Sequence, residues 1–208
     1  MKRKNPVVER WQTQTDPEVL KSVRSLLSLG IASVGADEGS LLIYDNRKHN
    51  LVFTEVSGRS PKDIIGKTIQ LGDGVTGNAA LLREMQIGSR LVNEQMRDVE
   101  GDGHPFSVMA APVLLADELW GCITAVRFSE GATFSSQDGE VYLHLAAVLG
   151  CMIGLCKKLE ISAGEQEDVP SVQNEELNLI RKFSGIVSRN PDKKESISVL
   201  LNGLDGLI

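Results

Sequence analysis

At 208 residues, with 41% hydrophobic and 24% charged residues, the chain has room for one cored domain and an extension, which excludes disorder throughout. Its formal charge of -6 argues against a nucleic-acid-binding surface, because phosphate contacts need a basic face. Cys122, Cys151 and Cys156 are odd in number and lie in apolar stretches, which reads as reduced, buried thiols and not a disulfide frame.

Residues 1–14 are polar and read as a loose N-terminal tail. Lys2, Arg3 and Lys4 are not followed by the apolar core of a signal peptide, so a cytoplasmic location is expected. Thr15 or Asp16 caps the first helix, with Pro17 and Glu18 in its first turn. Val19, Leu20, Val23, Leu26, Leu27, Ile31 and Val34 recur at helical spacing, and the helix should stop near Gly35. Residues 39–45 and 51–57 predict a hairpin across a polar turn, and 58–66, with Pro61, a loop.

Lys67 to Leu71 then leads, as a strand, into L-G-D-G-V-T-G, Leu71 to Gly77, with a short helix predicted over 78–84. Glycines at such a corner allow positive φ and close approach, and a helix start favours anions. The letters fit G-x-G-x-x-G, with Glu94 near the spacing of a dinucleotide fold's acid. Hairpins on both sides, however, predict antiparallel strands, and that fold needs parallel ones.

Residues 87–92 read as a further strand, 93–105 as a long polar loop, and 108–115 with 119–128 as a second hairpin. Ser135, helped by Asp138, caps a helix that is apolar almost all round from Val141 to Cys156 and closes at Lys157 and Lys158. At about 16 residues it falls short of a bilayer's needs. It must instead be covered on every side, either within the monomer or by the first and last domain helices of a second copy. Gly150 and Gly154 would permit close approach there, and a homodimer is expected. Residues 161–173 read as a linker and 174–208 as a C-terminal extension of short amphipathic helices, carrying Leu177, Ile180, Phe183 and Val187 and then Ile197, Leu200, Leu201, Leu204 and Ile208.

E-G-S-L-L-I-Y-D (Glu38 to Asp45), the glycine corner, A-A-P-V (Ala110 to Val113), L-W-G-C-I-T-A-V (Leu119 to Val126) and F-S-S-Q-D (Phe134 to Asp138) follow one another in an order that resembles the GAF domain family, over about residues 16–159. The resemblance implies an α+β fold over 15–160: a central, mostly antiparallel sheet of five or six strands, with helices on both faces. It also implies a small-molecule pocket between one sheet face and a cover made of the glycine corner, its helix and the loop to Pro105. Ser40, Arg90, Asn93 and His104 are the polar candidates to fix a ligand, with Phe106, Met109 and Ala111 for the apolar lining. Arg90 points to an anionic ligand.

GAF-like free methionine-R-sulfoxide reductases work through cysteines on and near the pocket loop, and 89–107 contains none. The N-K-x-x-F pattern of cyclic-nucleotide binders is absent, as is the bilin-attaching cysteine. Asn93 and Phe106 stand where many members carry aspartate and arginine, so no ligand or cofactor is named. No paired Cys or His has metal spacing, and His144 reads as a packing residue before a haem ligand. The expectation is a non-catalytic sensory and regulatory module that binds a small molecule, signals through a dimer helix interface to a downstream protein, and engages neither nucleic acid nor membrane. The alternative is a ligand-free dimerisation scaffold whose pocket is filled by its own side chains.

Overall fold

The computed structural model describes residues 5–59, 62–89 and 106–165. Its first element corrects the reading of residues 1–14 as a tail. Helix α1 (Pro6–Gln14) is capped by the Asn5 side chain, which accepts from the Val7 N–H at 3.0 Å, with Pro6 in the first turn. Val7, Val8 and Trp11 share one face and are buried. A short helix like this holds because that face is covered. Helix α2 (Pro17–Ser33) follows after a two-residue break, since Pro17 has no N–H with which to continue α1. Its cap is Asp16, whose carboxylate accepts from Glu18 N at 2.7 Å and Val19 N at 3.4 Å.

The strands are β1 (Glu38–Asp45), β2 (Asn50–Gly58), β3 (Thr68–Gln70), β4 (Gln86–Ser89), β5 (Ser107–Leu115) and β6 (Glu118–Arg127). They form one six-stranded sheet in the order β3-β2-β1-β6-β5-β4, every pairing antiparallel. This is the expected α+β architecture, and it removes the dinucleotide reading, which needs a parallel sheet. Helix α3 (Gly74–Leu82) starts within the glycine run and not after it, so Gly74 is its first residue and Gly77 lies inside it. The closing helix, α4 (Ser136–Glu165), begins in a reciprocal box: Asp138 N donates to Ser135 Oγ at 3.1 Å, and Ser135 N to Asp138 Oδ2 at 2.8 Å.

Two expectations for α4 are corrected. It does not close at Lys157 and Lys158 but continues to Glu165, into the stretch read as linker. Cations suit a helix end without making one, and residues 159–165 contain no proline to stop it. Ser136–Lys157 is therefore long and apolar enough to cross a membrane by length and composition, and one face of it lies against β5 and α2. Gly150, expected to admit a partner helix, instead lets α4 approach the sheet. A Cβ there would stand 2.5 Å from the Leu114 carbonyl oxygen.

Both sheet faces are used. Leu41, Met109, Ala111, Val113, Ile123 and Ala125 pack with α2 and α4, while Leu42, Leu51 and Cys122 pack with Ala80 of α3. Two irregularities set this division. Leu41 pairs with Glu55 but Leu42 with Phe53, which leaves Thr54 as a bulge, and a second shift at Trp120 lies between the Val113–Gly121 and Leu114–Leu119 pairs. Glu55 and Trp120 thereby reach the helix face. At one end of the sheet Arg127 donates to the carbonyls of Val34 and Thr133, lies 4.2 Å over the Phe134 ring and pairs with Asp138 at 3.5 Å. One guanidinium thus ties β6 to the end of α2 and the start of α4.

Candidate functional site

The glycine corner and α3, the described parts of the expected cover, lie on one side of the sheet. Ser40 of β1 and Thr124 of β6 project there from adjacent strands, 4% and 3% exposed, and their hydroxyls are 2.6 Å apart. Two hydroxyls carry two hydrogens and the mutual bond uses one, so the pair has a further donor to offer. Ala110 pairs with Thr124 in the ladder and is fully buried beside it. No motif marks Thr124 in the sequence, and its register with Ser40 follows only once β1 and β6 are placed side by side.

Nearer the corner this face is filled. Leu42, Leu51, Ala80 and Cys122 form a buried cluster, edged by Tyr44, Phe53, Ile69, Leu71 and Leu119. Gly72 N donates to Gly77 O at 2.8 Å, and Gly77 N to Asp73 O at 2.9 Å, so the corner closes on itself. Asp73 occupies the N-cap of α3 with no side-chain hydrogen bond to the helix. Its carboxylate answers the helix dipole and leaves little attraction there for a further anion.

Ser40 therefore belongs to the face that the cover was expected to close, and Phe106 is buried at the entry to β5, its N–H donating to Arg127 O at 2.8 Å. Met109 and Ala111 do not line that side. Both are 0% exposed and packed with α2 and α4, because alternation along β5 turns them to the helix face. Arg90, Asn93 and His104, and the loop that carries them, lie outside the described residues, as do Lys2 to Lys4, Glu94 and residues 166–208.

The cysteines bear on catalysis. Burial pushes the Cys122 thiol up to about 12 from an ordinary 9.0, so it stays protonated at neutral pH and is a poor nucleophile. Cys151 is exposed on α4, across the sheet from Cys122. His144 is exposed, with its Nδ1 2.8 Å from Glu140 O, which makes it a surface residue and not the packing residue expected. Among the described residues no group of three His, Cys, Asp or Glu could hold a metal ion.

The buried thiol gives a pH test. The unfolded chain releases this proton from about pH 9 and the folded chain only near 12, so between them the unfolded state binds fewer protons and stability falls as pH rises. The contribution is intact below pH 9 and lost toward 12. Burial raises the Tyr142 phenol too, in the same sense. Urea unfolding at pH 8, 9, 10 and 11 should show declining stability. Cys122→Ala should flatten the decline by a few kcal/mol, because each tenfold difference in proton affinity between the folded and unfolded thiol is worth about 1.4 kcal/mol. An unchanged slope in Cys122→Ala would mean that the thiol is not sealed.

No family model matches the sequence, and no curated protein does. Solved structures do. The second GAF domain of DevS from Mycobacterium smegmatis is 19% identical, with a TM-score of 0.58, and the match covers 69% of this chain and 99% of that one. The GAF domain of a phosphoenolpyruvate-protein phosphotransferase from Coxiella burnetii is 16% identical with a TM-score of 0.58, over 73% of this chain and 93% of that one. A type II free methionine-R-sulfoxide reductase from Thermoplasma acidophilum is 16% identical with a TM-score of 0.53, over 65% and 94%. At these identities the likeness is one of fold. The described domain has the GAF fold, in keeping with the motif order along the chain. Because a reductase stands among the similar structures, fold alone does not separate sensing from catalysis.

Proposed function

We propose that the chain is a non-catalytic, cytoplasmic sensory module. It binds a small molecule on the α3 side of the sheet and signals to a downstream protein through a homodimer of α2 and α4. The observation that carries this reading is the chemical difference between the two sheet faces. The helix face is packed by apolar side chains, and its buried carboxylate, Glu55, is paired with Trp11 and Arg24, while the α3 side holds a buried hydroxyl pair, Ser40 and Thr124, with donor capacity to spare. The dimer half rests on α4. Leu143 is 45% exposed, and Ala147 and Cys151, at four-residue intervals, continue that open apolar stripe. A ligand that closes the cover differently in two states would bias such an interface, provided its affinity differs between them. The reductase reading has no support from Cys122, a buried and protonated thiol.

The filled cluster of Leu42, Leu51, Ala80 and Cys122 favours a second reading, the ligand-free dimerisation scaffold. Native mass spectrometry of the full chain separates them. A dimer carrying added mass is expected and supports the sensor. A dimer without added mass, followed by no thermal shift across a metabolite panel, supports the scaffold, and a clean monomer removes the dimer from both.

A further inference from the structure

The hydroxyl of Thr124 faces the α3 side, but its carbonyl is held from the opposite side. Tyr142 of α4, fully buried, donates its phenolic O–H to Thr124 O at 2.6 Å. The space for this contact comes from two glycines. A Cβ on Gly39, the strand neighbour of Ser40, would stand 2.9 Å from the same carbonyl and 2.8 Å from Ile31 of α2. A Cβ on Gly30 of α2 would stand 3.1 Å from both the Tyr142 ring and Leu145. The Tyr142 ring therefore lies beside α2, where Gly30 leaves room for it, while its hydroxyl grips the sheet. One residue, Thr124, joins the hydroxyl pair on one face to both helices on the other.

We propose that Thr124 is the coupling residue across the sheet: its hydroxyl registers the state of the α3 side, and its carbonyl, held by Tyr142, passes that state to α4 and α2. The proposal rests on the reading of the α3 side as the ligand side. It places the two-state element at the hydroxyl pair. Either Ser40 and Thr124 bond each other, or a polar ligand group takes one of them and the pair reorients. A shift of Thr124 in its strand moves the carbonyl on which Tyr142 is anchored, and with it the ring that lies beside Gly30 of α2. Thr124 and Tyr142 act as positioning residues, joined by contiguous contacts that both faces can bias.

Backbone hydrogen exchange, read by mass spectrometry on the full chain, tests the coupling with no ligand present. Thr124→Val removes the hydroxyl with little change of shape. Exchange in residues 142–150 of α4 and 26–33 of α2 should rise by about threefold or more, and Thr124→Ser should restore it. In a Tyr142→Phe background, Thr124→Val should add nothing in those helices. Val52→Ala, a core truncation beneath α1, controls for general destabilisation and should not reproduce the helix-specific rise. If Thr124→Val fails to fold, Ser40→Ala breaks the same hydroxyl bond from its other end and is read in the same way.

A rise confined to β1 and β6, or a full rise that persists in Tyr142→Phe, overturns the coupling. The ligand reading fails separately. Native mass spectra and thermal shifts without a small molecule would remove the ligand while leaving the exchange result standing, and a bound molecule with additive exchange effects would do the reverse.

Discussion

Trp11→Ala should lower the melting temperature by about 6–20 °C, because a buried Trp replaced by Ala costs about 3–5 kcal/mol and each kcal/mol is worth about 2–4 °C in a chain of this size. Trp11 is 6% exposed, and its ring meets Trp120 edge-on, with centroids 5.8 Å apart at 64°. Its indole N–H donates to Glu55 Oε1 at 3.1 Å, on a carboxylate that also accepts from Arg24 Nε at 3.0 Å and Nη2 at 3.2 Å. Truncation opens a cavity and strips one donor from a buried anion, and both effects destabilise. Trp11→Phe separates them: the ring contact largely survives while the donor is lost, for a smaller drop of about 2–6 °C. Differential scanning calorimetry of both variants is the check. A shift below about 2 °C in Trp11→Ala would mean that α1 does not dock on β2 in solution.

That α1 went unread shows where sequence legibility ends. Val7, Val8 and Trp11 make too few apolar positions to register as a stripe among polar neighbours, and the surface that covers them, around Val52, is more than forty residues away. Elements that announce themselves locally were legible. Asp16 with Pro17, and Ser135 with Asp138, mark helix starts by chemistry that operates within a turn, and both were placed within a residue or two. The hairpins were legible for the same reason. Sheet faces were not, because alternation says which residues share a side but not which side meets α3. Met109 and Ala111, candidates for the pocket lining, pack on the helix face for this reason, and the bulges at Thr54 and Trp120 break the alternation outright. Thr124 escaped notice because it gains meaning only from its register with Ser40 and from Tyr142, eighteen residues on.

The glycine corner was the most legible feature, and it carries the second large prediction. Gly77→Ala should destabilise the domain by about 1–3 kcal/mol, the cost of forcing extra volume into a packed site, and loosen α3 on the sheet. An added Cβ would stand 2.3 Å from the Gln70 carbonyl oxygen and 3.1 Å from Gly72 N. Neither can retreat cheaply, since Gln70 is paired with Asn50 in the ladder and Gly72 N already bonds Gly77 O. Gly74 provides the contrast. Its φ of 59° is left-handed but a Cβ there meets nothing within 4 Å, so Gly74→Ala should cost only the backbone strain, about 1–2 kcal/mol. The two substitutions should also differ in where they act. Gly77→Ala pushes α3 off β3 and should raise hydrogen exchange across residues 78–82, whereas Gly74→Ala leaves that packing in place and should raise it little. Urea unfolding paired with exchange would decide this. Equal exchange in both variants would show that the glycines at this corner serve backbone conformation alone, and that close approach of α3 to the strand is not what Gly77 provides.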